Sequence, residues 1–288
     1  MNIIYFSILT LVLVGTFSAI ILFFVSRKYK VFEDPKIDEV ESALPKLNCG
    51  GCGSPGCRGF AIKCINADTL DHLVCTVGGL ETMENVAKIL DKKPGSFYPT
   101  VSVVRCGGKC DIRPGTNNYD GVKSCSIVHN LYGGRTGCSF GCLGYGDCEV
   151  SCKFGAIHIH PESQLPEIDE TKCTSCNACV KACPKAIIEL RRKGLKSRRI
   201  YVNCINKDKG EKILESCKVA CTGCEKCIHE CVYDAITISN NLAFIDSEKC
   251  TLCRKCVDVC PTHAIVEVNF PGREALIEKG EEVVETLH

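Results

Sequence analysis

From Ile3 to Val25 (IIYFSILTLVLVGTFSAIILFFV) the chain is almost wholly apolar, and residues 1–26 carry no charged side chain. A run with no polar stripe has no face to offer water, so it predicts a helix that is apolar all round. At about 1.5 Å per residue these residues reach about 34 Å, enough to cross a hydrocarbon core of about 30 Å. A cleaved signal peptide would want a basic start, a shorter apolar core and a small-residue cleavage site. This run begins MNIIYF and gives way to SRKYK, so a retained anchor over residues 1–26 is the expectation. Arg27, Lys28 and Lys30 follow it and nothing basic precedes it. The positive-inside bias therefore predicts a single pass through the inner (cytoplasmic) membrane, with the remainder of the chain in the cytoplasm.

Past the anchor the apolar positions fall into short pieces. Residues 27–45 read as a polar stalk, with about two helical turns in EDPKIDEVESALPK. Residues 46–92 form a small glycine- and cysteine-rich unit. Within it, Leu80–Lys92 places Met83, Val86, Ala87 and Leu90 on one helical face, and Pro94-Gly95 would end the helix. Residues 93–137 show no clear period and read as a connecting region. An internal repeat then begins. Four cysteine clusters, CSFGCLGYGDCEVSC, CTSCNACVKAC, CTGCEKCIHEC and CTLCRKCVDVC, are each followed by a short apolar tail: FGAIHI, PKAIIEL, VYDAITI and PTHAIVEV. The units pair into modules over 138–190 and 221–268, with strands expected at Ala156–Ile159 and Ala235–Ile238. A basic connector (191–220) separates them and an acidic tail (269–288) follows, with a surface helix expected over Glu274–Glu285. The run Arg191–Arg199 reads as a solvated hairpin, or alternatively as a patch that docks an acidic redox partner. The class is α+β: one transmembrane helix, a small iron–sulfur domain and two ferredoxin-like two-cluster modules.

Composition supplies the chemistry. There are 26 cysteines in 288 residues, no tryptophan, and a net charge of +1. That balance gives no global pull toward nucleic acid. The cysteine density means disulfides in a secreted chain or metal chemistry in a cytoplasmic one, and the anchor's orientation favours metal. The spacing Cys-x2-Cys-x2-Cys-x3-Cys holds a four-iron cluster with its first three thiolates and sends the fourth to the neighbouring cluster. Crossing the fourth ligands gives four sets. Cys138, Cys142, Cys148 and Cys183 hold one cluster, and Cys152, Cys173, Cys176 and Cys179 hold its neighbour. Cys221, Cys224, Cys227 and Cys260 hold a third, and Cys231, Cys250, Cys253 and Cys256 a fourth. The first motif is stretched to x3-x5-x3, and proline follows only Cys183 and Cys260. Structural zinc, the rival, favours two separated cysteine pairs, which these quartets are not.

Upstream, Cys49, Cys52, Cys57 and Cys75 offer four thiols from one glycine-rich loop and one return, a further [4Fe-4S] site, with Cys57 near a helix start. Cys64 reads as a buried free thiol. Of the remaining cysteines, Cys106, Cys110, Cys125 and Cys217 are the candidate ligands of a sixth cluster, and Cys204 could replace any one of them. Five clusters are expected, with a sixth open. His158 and His160 belong to a strand face and not to a metal site. No dinucleotide fingerprint, Walker loop or nucleophile elbow occurs, and no catalytic residue is assigned.

With these motifs in hand, the sequence resembles the B subunit of the Rnf electron-transport complex. The resemblance runs from the anchor through LPKLNCGGCGSPGCRGFA…VCTVGG to both ferredoxin-like pairs, the longer form of that family. Where the family has Pro-Gly before the asparagine-cysteine, this chain has Pro45-Lys46-Leu47. The resemblance implies a subunit of an ion-translocating ferredoxin:NAD oxidoreductase, a translocase that couples reduced ferredoxin and NAD to a gradient of sodium or protons. It would accept electrons from soluble ferredoxin and relay them to other subunits of the complex. The chain alone would be an electron carrier without flavin or nicotinamide. A polyferredoxin-like adaptor of another membrane oxidoreductase or hydrogenase is the alternative.

Overall fold

A computed structural model of the chain describes residues 2–28, 34–95, 98–131, 133–134, 136–209 and 212–271. The acidic tail expected over Glu274–Glu285 lies outside the described residues. Helix α1 (Asn2–Lys28) leaves its large apolar side chains from Ile4 to Val25 exposed. Its stretch Ile4–Lys28 is long and apolar enough to cross a membrane.

The segment read as a stalk is not free. Its helix α2 (Lys36–Ala43) buries Ile37 and Val40, and Leu44 follows them into the same core. The three sit at i, i+3 and i+7, a helical stripe that needs a partner. That partner is α3 (Cys57–Asn66) together with α4 (Gly79–Leu90). Phe60, Leu70, Met83 and Val86 complete the core. Arg58 of α3 bridges Asp38 (2.8 Å) and Glu41 (2.9 Å) of α2. Lys92 donates to the carbonyls of Cys64, Ile65 and Ala67 at 2.9, 2.9 and 2.5 Å, closing the C-terminus of α3 where a cation is favoured. Helix α4 buries the four residues its period predicts, but it ends at Asp91, which turns left-handed (φ 52°), before Pro94 is reached.

The connecting region holds strand β1 (Thr100–Val104) and helix α5 (Cys125–Leu131). The first cysteine repeats follow, with α6 (Asp147–Val150), the hairpin β2 (Ile157–Ile159) and β3 (Pro166–Ile168), α7 (Ala178–Ala182) and β4 (Ile188–Arg192). Strand β1 pairs antiparallel with β4, Val101 opposite Arg191 and Val104 opposite Ile188. The first module therefore starts near residue 100, well before its first repeat cysteine. The second module copies this plan. Strand β5 (Arg199–Val202) precedes α8 (Lys212–Ser216), α9 (Lys226–His229), the hairpin β6 (Ile236–Ser239) and β7 (Leu242–Ile245), α10 (Lys255–Asp258) and β8 (Ile265–Val268). Strand β5 pairs with β8, so the basic connector contributes a strand to the second module.

At its two ends the basic run is not the solvated hairpin that was expected. Arg191 and Arg199 are buried. Arg191 donates to the Ile245 carbonyl across the modules and packs on Phe244. Arg199 of β5 makes a forked pair with Glu170 of the first module, one arm at 3.0 Å, and Asn269 donates to both oxygens of the same carboxylate at 3.2 Å. Arg192 stacks on Tyr98. Planar guanidinium groups with apolar stems suit such a seam. The arginines fasten one module to the other.

Candidate iron–sulfur sites

Each repeat cysteine loop is shaped by left-handed backbone. Asn177 (φ 66°), Glu225 (φ 65°), Arg254 (φ 71°) and Gly146 (φ 82°) each precede a short helix whose second residue is a cysteine: Cys179, Cys227, Cys256 and Cys148. Three of these four residues are not glycine, so the backbone is held in a conformation that L-residues rarely adopt. Alternating left- and right-handed residues turns successive N–H groups into one concavity, the form that receives anionic groups such as iron–sulfur clusters.

Cavities lie over these loops, and thiols line them. One is bounded by Cys152, Cys173, Cys176 and Cys179. Another is bounded by Cys221, Cys224, Cys227 and Cys260, and a third by Cys231, Cys250, Cys253 and Cys256. In each, three thiols come from one repeat and one from its partner. These are the groupings that the crossed spacing gives. Nearby donors face the sulfurs: the Ala156 N–H lies 3.3 Å from Cys152 Sγ and the Ser102 hydroxyl 3.4 Å from Cys179 Sγ.

The first repeat departs from its spacing. Its cavity is bounded by Cys125, Cys142, Cys148 and Cys183, with Cys125 standing where Cys138 was expected. The cause is Asp147, next to Cys148. Its carboxylate accepts from the N–H groups of Cys125 (2.9 Å) and Ser126 (2.9 Å) and from the hydroxyls of Ser124 and Ser126 (both 3.0 Å). Burial alone would raise this carboxyl, but the four hydrogen bonds outweigh it and hold the group below the usual range. Helix α5 is thereby pinned by its N-terminus against α6. Cys138 instead lines another cavity, with Cys106, Cys204 and Cys217. The sixth grouping read from sequence is thus altered at two positions. Cys125 belongs beside Cys148, and Cys110 is exposed with its thiol 3.5 Å from the Ser163 carbonyl.

The upstream quartet is built on the helical core. Cys57 opens α3, its N–H held by Asn48 Oδ1 at 2.8 Å. Cys75 is buried, and its sulfur accepts the Gly78 N–H at 3.3 Å. Burial pushes its thiol up, against the N–H groups of Gly78 and Val77, which lower it, and Cys52 and Cys57 pack on the same core. Lys46 stands left-handed (φ 55°), a conformation that favours glycine. Cys64 is wholly buried, its thiol pushed up to about 11 by burial and by Cys52. His158 lies on β2 with Nε2 3.6 Å from Glu167, and His160 accepts the N–H groups of Glu162 and Ser163.

The donor sets fit iron–sulfur clusters. Burial, then neighbouring thiols, push Cys148 and Cys256 up to about 12 and Cys227 to about 11. Such thiols keep their protons at neutral pH unless a cationic group takes the charge. A single zinc ion would draw its sulfurs to within about 3.8 Å of one another, given Zn–S bonds of about 2.3 Å. Among the described residues no three His, Cys, Asp or Glu side chains converge in that way.

Comparison with known proteins agrees. Residues 137–187 match the family model described as a 4Fe-4S dicluster domain, residues 243–266 the 4Fe-4S binding domain, and residues 44–69 a model described as "Putative Fe-S cluster". The B subunit of the Na(+)-translocating ferredoxin:NAD(+) oxidoreductase complex of Acetobacterium woodii is 40% identical over 224 residues, 78% of this chain and 66% of that protein. Its proton-translocating counterpart in Clostridium ljungdahlii is 37% identical over 85% of each chain. The B subunit of the ion-translocating oxidoreductase complex of Methanosarcina acetivorans is 36% identical over 90% of this chain and 96% of its own length. The chain belongs to the family of B subunits of the ion-translocating ferredoxin:NAD oxidoreductase (Rnf) complexes, as an iron–sulfur electron-transfer subunit.

Proposed function

We propose that this subunit takes electrons from reduced ferredoxin and passes them to other subunits of the complex, with α1 as a single membrane anchor and the rest of the chain in the cytoplasm. Five ligand sets serve this role: Cys49, Cys52, Cys57 and Cys75; Cys125, Cys142, Cys148 and Cys183; Cys152, Cys173, Cys176 and Cys179; Cys221, Cys224, Cys227 and Cys260; and Cys231, Cys250, Cys253 and Cys256. A bound [4Fe-4S] cluster supplies a one-electron carrier at each. The protein holds these groups, donates hydrogen bonds to their ligands and buries eight of the twenty thiols, the means by which a surrounding shell tunes potential.

The observation that carries this reading is that successive ligand sets touch. Gly51, in the upstream loop, packs so closely on Cys176 that an added Cβ would lie 3.0 Å from the Cys176 Cα and carbonyl oxygen. Within each module the two sets exchange a ligand. At the far end Cys224 and Cys253 are exposed, which gives a soluble redox partner access to the second module. Electron arrival there and exit beside the anchored domain is the direction this order favours.

The test is anaerobic addition of reduced ferredoxin to the full chain in detergent, followed by visible and electron paramagnetic resonance spectra. Bleaching and new reduced-cluster signals are expected. Signals that dithionite produces but ferredoxin does not would overturn ferredoxin as donor.

A further inference from the structure

The two modules open alike. Strand β1 ends at Val104 and β5 at Val202, and two residues beyond each end stands a cysteine, Cys106 and Cys204. The strand ends meet. The Gly107 N–H donates to the Asn203 carbonyl at 3.0 Å, while Arg105 donates to the carbonyls of Val202 and Cys204, both at 3.1 Å. Cys217, just after α8, and Cys138 complete the lining of one hollow.

We infer that Cys106, Cys138, Cys204 and Cys217 hold a sixth [4Fe-4S] cluster that bridges the two ferredoxin-like modules. The inference rests on the iron–sulfur reading above and adds a site that belongs to neither module's repeats.

The hollow is made for an anionic guest. Asn206 is buried, its N–H 3.4 Å from Cys204 Sγ and its Nδ2 3.6 Å from Cys138 Sγ. Arg113 is buried beside the same thiols. It donates to the Cys142 carbonyl at 2.7 Å and brings a positive charge to the hollow's edge. Its Nε has no hydrogen-bond partner. Small residues leave the room. A Cβ on Gly108 would stand 3.2 Å from Cys217 Sγ, and one on Gly141 would collide with the Arg113 guanidinium.

The position makes the site a bridge. On one side, Arg113, beside Gly108 and Gly141 of the hollow, donates to the carbonyl of Cys142, a ligand of the first module. On the other, Ala220 lines the hollow, and the next residue, Cys221, is a ligand of the second. Without this site, the described structure offers no ligand set between Cys142 and Cys221. With it, the sets run unbroken from the upstream loop to Cys253.

The test is iron, sulfide and zinc per full chain, purified anaerobically in detergent, together with native mass spectrometry. About 24 iron and 24 sulfide are expected, six clusters by mass. Cys106→Ser and Cys204→Ser should each lose about four iron and four sulfide and one reduced-cluster signal, while Cys110→Ser loses none. About 20 iron, or about 20 iron with one zinc, would overturn the sixth cluster and leave the electron-transfer reading intact. Little or no iron would overturn that reading itself. Should the serine variants fail to fold, the count on the unaltered chain and on Cys110→Ser still decides.

Discussion

The two ferredoxin-like modules share a plan and differ in self-sufficiency. In the second, all eight ligand-position cysteines lie between Cys221 and Cys260, and both cavities close with those residues alone. In the first, the cavity around Cys142, Cys148 and Cys183 takes its fourth thiol from Cys125, and Cys138 turns to the seam between modules. Regular x2-x2-x3 spacing fixes a local quartet because three thiols share one turn and its short helix. Stretching the motif to x3-x5-x3 frees Cys138, the thiol farthest from that helix. The irregular module has exchanged a local ligand for a link to its neighbour.

Cysteine substitutions break this comparison most strongly. Cys125→Ser should cost the first module a cluster, about four iron and four sulfide per chain, as Cys260→Ser does in the second. Cys138→Ser should leave the first module's signals in place and remove those of the bridge. Iron counting with electron paramagnetic resonance on each variant checks the assignment. Were Cys138→Ser to abolish a first-module signal while Cys125→Ser did not, the expectation from spacing would be right and the exchange wrong.

The seam between the modules sharpens the comparison further. Arg199→Ala strands Glu170, a carboxylate held below its ordinary value chiefly by the hydrogen bonds from Arg199, against the opposing effect of burial. Losing that charged hydrogen-bonded pair should cost about 2 kcal/mol, read as a melt of the loaded chain lowered by several degrees. The sign with pH follows from the depressed carboxyl. Its stabilisation is complete above the unfolded value of about 4.3 and fades as pH falls below it, through the lower folded value. Wild type and variant should therefore converge only as pH falls through that lower folded value. A gap independent of pH would mean that Arg199 acts by packing alone.

Much of this was legible in the sequence, and the reasons are local. The repeat loops, the apolar anchor and the face of α4 declare themselves within short windows of chain. Each quartet of the second module was readable because its spacing is itself the geometry. What the spacing could not carry were partners brought from afar. Strands β1 and β5 are too short and too mixed to separate from loop until β4 and β8 pair with them. The arginines of the 191–199 run look solvated until Glu170 and the Ile245 carbonyl arrive across the chain. Ile37, Val40 and Leu44 did offer a helical stripe, which a purely polar stalk would have no use for. Cys125 lies remote from Cys148 in sequence, and only Asp147, the hinge between them, ties the two together.

Asp147 yields the smallest effect and the most selective one. It stands in the first module alone: the residues that take its place before Cys227 and Cys256 are Lys226 and Lys255, which cannot accept. Asp147→Asn keeps one acceptor oxygen but loses the charge that gathers four donors from Ser124, Cys125 and Ser126. A lost helix cap of this kind costs about 1 kcal/mol, too little to unfold the module. It should loosen α5 at its N-terminus, raising amide exchange at Cys125 and Ser126 while Cys227 and Cys256 stay protected. Iron content should hold, since the Cys125 bond to its cluster resists a loss of that size. Unchanged exchange at Cys125 would mean that the cluster, and not Asp147, positions α5. The borrowed ligand would then be a consequence of loading, where the structure makes it a condition set by the fold.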